Sequence, residues 1–358
     1  QAANLTTDQV VALTALQAAA LTTAQLSGMG TAQIAAIETA DLQALTTAQI
    51  GSLTTAQIAQ GLTTDQVVAL KTSQLIALKT AQIAAGLTSD QVVALTTDQA
   101  ASLLTSQLAA LSTANLQALE TADLAALTVT QVGGLTTDQA SKLTTDQIVA
   151  LTTAQAAGLK TAQIAALTTI QVGAIETGDI AALTTGQVSS LTTSQIAKGL
   201  TTDQVIALGT HQVQALTTAQ LVALSTDNLA AMETADLAAL KTSQIAALST
   251  AQVAKGLTTD QVVALTTDQV RSLTTGQLIG LNSDQLAAME TKDIAALKTN
   301  QLAALSTTQI VQGLTTTQAA ALTTAQIAGL TTDQAANLTT DQVVALTALQ
   351  AAALTTAQ

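Results

Sequence analysis

From Leu5 onward the chain advances in steps of eight: "LTTDQVVA" (5–12), "LTTAQIGS" (45–52), "LKTAQIAA" (159–166), "LTTGQVSS" (183–190). Forty-one such units run from Leu5 to Asn337, thirty-six of eight residues and five of nine. Each long unit ends in one extra glycine: Gly61, Gly86, Gly199, Gly256 or Gly313. A period this short leaves a unit too small to bury an apolar face by itself, so the units must stack as a solenoid. Residues 334–358 repeat residues 1–25 letter for letter and in register, which implies a 333-residue super-repeat and a window onto a longer array. Residues 1–358 are therefore read as one continuous octad-repeat solenoid.

Within the octad the first position is always Leu, Ile or Met, and the sixth is an aliphatic residue or Ala. Strict alternation is absent, which disfavours a half-buried strand. The third position is Thr in thirty-seven of the forty-one units, and the fifth is Gln in thirty-four. Thr followed by a short Ala-rich run reads as an N-cap opening a helix, and Thr6 with Gln9 has capping-box spacing. Because the third position varies less than the second, Thr7 is expected to be the true cap or a buried hydroxyl. Charge placement agrees with a helix. All twenty-three acidic residues fall at the second, fourth or fifth position, while Lys142, Lys198, Lys255 and Arg271 fall at the seventh or eighth. A helix macrodipole favours that polarity. The extra glycines stand where a C′ residue with positive φ would end such a helix. The expected fold is all-α, a solenoid of helices of about six residues, one per octad, with short corners between them. A β-solenoid is the alternative, since Thr, Val and Ile suit strands. Against it, Ala and Gln abound, and Asn and Gly are too sparse to turn every corner.

Two buried aliphatics cannot offset the ordering of eight residues, so stability must come from stacking. Leu5 and Val10 would belong to a narrow central seam, and the recurring Gln would form a hydrogen-bonded ladder between units. Units beginning "IETADL", "LETADL", "IETGDI", "METADL" and "METKDI" lie 10, 7, 7 and 7 octads apart. If such units share a face, a coil holds about 3.4 octads, or roughly 28 residues. Duplication of a seven-octad block in the gene gives the same spacing without geometry.

The chain has no Phe, Tyr, Trp, Pro or Cys, so disulfides and thiolate metal sites are excluded. A net charge of -13, with charged residues only 9% of the chain, argues against nucleic acid, which needs a basic stripe. Thr and Gln interrupt every apolar run, so no membrane span is expected despite a mean hydropathy of +0.43. The single histidine, His211, occupies the variable fourth position and has no second imidazole to share a metal. Met29, Met232 and Met289 replace Leu at the first position and belong to the core. The acidic pairs are the one constellation with chemistry: Glu38/Asp41, Glu120/Asp123, Glu176/Asp179, Glu233/Asp236 and Glu290/Asp293. Stacked into a row by the coil, they would bind Ca²⁺ through oxygen ligands; ordinary helix capping explains them without a metal. No other cofactor and no small-molecule substrate is expected.

Tandem "LTTAQIAAL"-like octads resemble the low-complexity stretches of very large repetitive surface or secreted proteins of bacteria, and the resemblance covers the whole chain. It implies an exported, extended molecule, extracellular or on the cell surface, concerned with adhesion, matrix or appendage formation, and no catalytic residue. Two functions follow. One is a self-stacked rod, associating along its axis or side by side, as the shaft of an extracellular fibre or the spacer of a giant adhesin. The other is a Thr array binding ice or another ordered solid. Lys71, Lys79, Lys160, Lys241 and Lys298 in place of second-position Thr weigh against that array.

Overall fold

The computed structural model describes residues 2–358. It is all-α, and among the described residues no strand forms, which rejects the β-solenoid. Nearly every octad is one short helix running from the third position to the eighth, such as Thr161–Ala166, Thr218–Ala223 and Thr291–Ala296. The chain divides into two compact units, Gln1–Ala182 and Leu183–Gln358. Inside each, a helix packs on the helix three octads further along. In the first unit Thr97–Ser102 packs on Thr121–Ala126, and in the second Thr259–Ala264 packs on Ser283–Ala288. A coil therefore holds three octads, not the 3.4 expected from the spacing of marked units. Seven and ten are not multiples of three, so inside a unit the marked octads do not stack directly on one another.

The helix start corrects a second expectation. The N-cap is the second position, not the third: Thr6 has extended φ/ψ of -75° and 162°, and its Oγ1 accepts from Gln9 N at 3.2 Å. Gln9 Oε1 in turn accepts from Thr6 N at 2.9 Å, closing the capping box. At a Lys unit half of the box survives, since Lys79 N still donates to Gln82 Oε1 at 2.6 Å. The third position is the first residue of the helix, and its side chain has a distinct contact where the eighth position one coil later is glycine. A Cβ on Gly134 would lie 2.0 Å from Thr105 Cγ2, and one on Gly329 would lie 1.9 Å from Thr299 Cγ2. At these two corners the third-position methyl fills the space that a Cβ would occupy at the eighth position one coil later. Val129, which replaces Thr and keeps the branch, does the same beside Gly158.

The core is a two-residue seam. In inner coils the sixth-position residues, such as Ile34, Leu108, Ile196 and Leu278, are fully buried, and the first-position residues nearly so. Met29, Met232 and Met289 lie in the seam as expected. Gln at the fifth position is buried beside them, Gln147 and Gln163 to within 1%. Buried amides at this frequency need partners, and those partners make the ladder described below.

The five extra glycines do not adopt the positive φ expected of them; among the described residues no φ is positive. The added residue is absorbed as a one-turn π-bulge in Gln57–Gly61, Gln252–Gly256 and Gln309–Gly313. Leu62 N there donates to Gln57 O at 2.9 Å, five residues back. Glycine is required because the bulge presses on the coil before it. A Cβ on Gly61 would stand 3.0 Å from Ile34 Cβ, and one on Gly313 would stand 2.8 Å from Leu286 Cδ2. Gly61→Ala should therefore cost about 1–3 kcal/mol through overpacking, read as a lower urea midpoint at unchanged slope. Gly178→Ala is the control, because nothing lies within 4 Å of its Cβ position.

Candidate functional site: the corner ladder and its acidic gaps

Beyond the first coil, a fifth-position Gln such as Gln147 serves two corners at once. Its Oε1 accepts the backbone N–H that opens its own helix, while its Nε2 donates to two carbonyls at the corner one coil earlier. Gln147 accepts from Thr144 N at 3.0 Å and donates to Leu116 O at 2.8 Å and Leu119 O at 2.9 Å. Gln261 does the same with Thr258 N at 3.0 Å, Leu229 O at 2.8 Å and Met232 O at 2.7 Å. Here the carbonyls belong to a sixth-position residue, which also accepts from the next first-position N–H at 3.2 Å, and to that first-position residue itself. The expected ladder thus exists, and it gives the stack a direction: amide donors face one way along it and carbonyl acceptors the other.

Seven units depart from Gln at the fifth position. Asn115 and Asn228 are shorter but keep the donor, reaching Leu87 O at 2.7 Å and Leu200 O at 3.0 Å. The other five are Asp41, Asp123, Asp179, Asp236 and Asp293, all buried to 5% exposure or less. A carboxylate has no N–H to give. Two of them accept from a third-position hydroxyl one coil earlier, Thr210 to Asp236 at 2.6 Å and Thr267 to Asp293 at 2.5 Å. Below Asp41 the matching residue is Ala15, which has no hydroxyl. The Oδ2 atoms of Asp41, Asp123 and Asp293 are buried without a hydrogen-bond partner.

The glutamates behave differently from their partners. Glu38, Glu120, Glu176, Glu233 and Glu290 are all exposed. Glu38, Glu120, Glu233 and Glu290 stand at the N-cap without a side-chain capping bond. Each pair meets at one corner, and inside either compact unit the pairs, seven or ten octads apart, do not fall on coils of three octads as a row. Among the described residues no three His, Cys, Asp or Glu side chains gather to hold a metal ion. Glu290 is ion-paired with the exposed Lys292, beside a surface depression lined by Thr291, Thr315 and Gln318. His211 is exposed.

Burial, with Glu38 second, pushes the Asp41 carboxyl above its ordinary range. Asp293 is also raised, mainly by burial, with the Thr267 hydroxyl and Lys292 pulling against it. A carboxyl whose folded pKa exceeds its unfolded value favours the fold while protonated. That contribution is complete below the unfolded pKa and is lost as pH rises through the folded one. Melting temperature should therefore fall as pH climbs from the ordinary carboxylate range toward neutrality. Asp41→Asn should flatten part of that slope, and an unchanged slope would assign it to the general excess of negative charge.

The division of each pair into one buried and one exposed carboxylate was not foreseen from the residues. The signal was present in position: the fifth is the Gln position, so whatever replaces Gln inherits its burial. The ALTTAQ repeat matches ten segments of the chain, residues 34–72, 67–105, 100–137, 116–153, 141–169, 172–210, 206–232, 229–267, 286–324 and 319–348. No curated protein matches significantly. Among solved structures, the leucine-rich repeat-containing protein LegL7 from Legionella pneumophila is similar over 68% of this chain and 79% of its own, at 12% identity. Its TM-score of 0.15 is too low to bear on the fold. Matched by that repeat over most of its length, the chain belongs to the ALTTAQ repeat family.

Proposed function

We propose that the chain is a structural protein, an extended spacer or shaft at the cell surface or outside it, serving a fibre or a giant adhesin. The observation that carries this reading is the Gln ladder. Each coil is tied to the one before by the same buried amide bonds, as at Gln66, Gln147 and Gln261, so adding units adds length without a new kind of contact. Many short bonds acting in parallel, shielded from water, suit a part that transmits load. No helix among the described residues is long and apolar enough to cross a membrane. The role needs neither catalysis nor a cofactor, and we assign none. The Thr-array alternative has less support, because second-position hydroxyls such as Thr144 Oγ1 are engaged by their own helix start, here Gln147 N at 3.1 Å.

Imaging by electron microscopy tests the reading. Chains carrying one, two and three copies of the 333-residue super-repeat should give particles of constant width whose length grows in proportion to copy number. Width growing together with length would overturn the proposal. Ice-recrystallisation inhibition by the same samples would instead favour the Thr array.

A further inference from the structure

Five corners of the stack lack the side-chain donor that Gln supplies at corners such as that of Gln147. In a Gln unit the amide lies against carbonyls 28 and 31 residues earlier, as Gln147 does with Leu119 and Leu116. The same offsets from Asp41 lead to Leu13 and Val10, and from Asp123 to Leu95 and Val92. No side-chain N–H is there to serve them. A further acceptor stands in its place: the Asp41 and Asp123 side chains are 5% and 2% exposed, and their Oδ2 atoms have no partner. Burying an unpartnered carboxylate near carbonyl oxygens is costly. Asn would remove that cost, and the chain uses Asn at 115 and 228. All five Asp units instead carry Glu at the second position, whereas both Asn units carry Ser. A donor has been removed and two carboxylates added at a single corner. A neutral ladder has no use for that combination; a hard cation does.

We propose that the corners formed by Glu38/Asp41 and Glu120/Asp123 bind Ca²⁺. The buried Asp Oδ2 and the first-position carbonyl of the preceding coil, Leu13 or Leu95, supply fixed oxygens from inside. Glu38 or Glu120 supplies a mobile carboxylate from the surface, and water completes the shell. Asp is one methylene shorter than Gln and leaves the room that the amide fills elsewhere. Two carboxylates per site place the affinity in the weak range of extracellular calcium modules, about 10⁻⁴–10⁻³ M. Because the carbonyl and the carboxylate belong to successive coils, the ion clamps the stack along its axis. Lys292 already neutralises Glu290, so that corner is the poorest of the five. This inference does not depend on the proposed role as a spacer.

The test is calorimetric titration of the chelator-treated chain with CaCl₂, in parallel with MgCl₂ at matched ionic strength, together with thermal melting. The expected result is saturable Ca²⁺ binding with a rise in melting temperature that MgCl₂ does not reproduce. Asp41→Gln with Asp123→Gln restores the ladder donor; it should lose two bound ions and melt higher than the parent chain in chelator. If circular dichroism shows that this variant fails to fold, Asp41→Asn with Asp123→Asn, which copies Asn115, replaces it. Glu38→Gln with Glu120→Gln should weaken binding at those two corners by about tenfold or more while leaving the helical spectrum unchanged. An absence of saturable heat up to about 10 mM Ca²⁺ overturns the proposal, as does a bound-ion count that the Asp substitutions leave unchanged. Stability that rises with acid and ignores Ca²⁺ also overturns it, because a proton then fills the gap.

Discussion

Replacing Gln147 with leucine destabilises the stack by about 3–5 kcal/mol, although leucine is the more hydrophobic residue and the site is buried. Gln147 is 1% exposed. Its removal strips Thr144 N of its acceptor and Leu116 O and Leu119 O of their amide donor. Those groups lie at two corners of successive coils; Leu116 O keeps its bond from Leu119 N, while Thr144 N and Leu119 O lose their side-chain partner. The general cost of leaving a buried polar group unpaired is about 1–3 kcal/mol, so loss of paired groups at both corners outweighs the gain from a buried isobutyl group. Gln147→Glu separates the two functions of the side chain. Its carboxylate still accepts from Thr144 N but offers no donor downward, so its cost at neutral pH should be at least as large and should shrink on acidification. Urea denaturation of the three chains gives the comparison. Amide hydrogen exchange locates it, because protection should fall first in the coils adjoining residue 147. A neutral outcome for leucine would mean that the seam alone holds the stack.

Much of this molecule is legible in its letters because one unit is written so many times. The octad period, the helix per octad, the buried first and sixth positions and the Gln ladder all follow from residues that recur at fixed places, such as Leu143, Gln147 and Ile148. Three details were misread, and each involves a neighbouring coil, which a single unit does not contain. The third-position Thr is not the cap, and where the eighth position one coil later is glycine its methyl lies against it. The extra glycines are required by the close approach of Ile34 and Leu286 rather than by a left-handed turn. The number of octads per coil was inferred from marked octads that do not stack directly on one another inside either compact unit. The acidic pairs were visible as pairs, but their split into buried Asp and exposed Glu depends on knowing where the Gln amide goes.

The seam should also discriminate between equal truncations at different places. Leu124 and Leu286 both occupy the sixth position and are fully buried. The helix of Leu124, Thr121–Ala126, packs between Thr97–Ser102, whose sixth-position residue is already Ala100, and Thr145–Val149, which carries Ile148. The helix of Leu286, Ser283–Ala288, packs between Thr259–Ala264 and Gln309–Gly313, which carry Val262 and Ile310. Sixth-position alanines elsewhere follow the same rule: three octads on either side of Ala140 stand Leu116 and Ile164, and around Ala319 stand Ile294 and Val343. A small residue is tolerated where larger neighbours lean into the space. Truncation costs grow with the cavity that remains after relaxation, across a range of about 2–5 kcal/mol for Leu→Ala. Leu124→Ala, which sets alanine against alanine, should fall near the upper end of that range, and Leu286→Ala near the lower. Equal shifts in urea midpoint would show that the two sites collapse equally well, and would remove size complementarity between successive coils as a source of the stack's register.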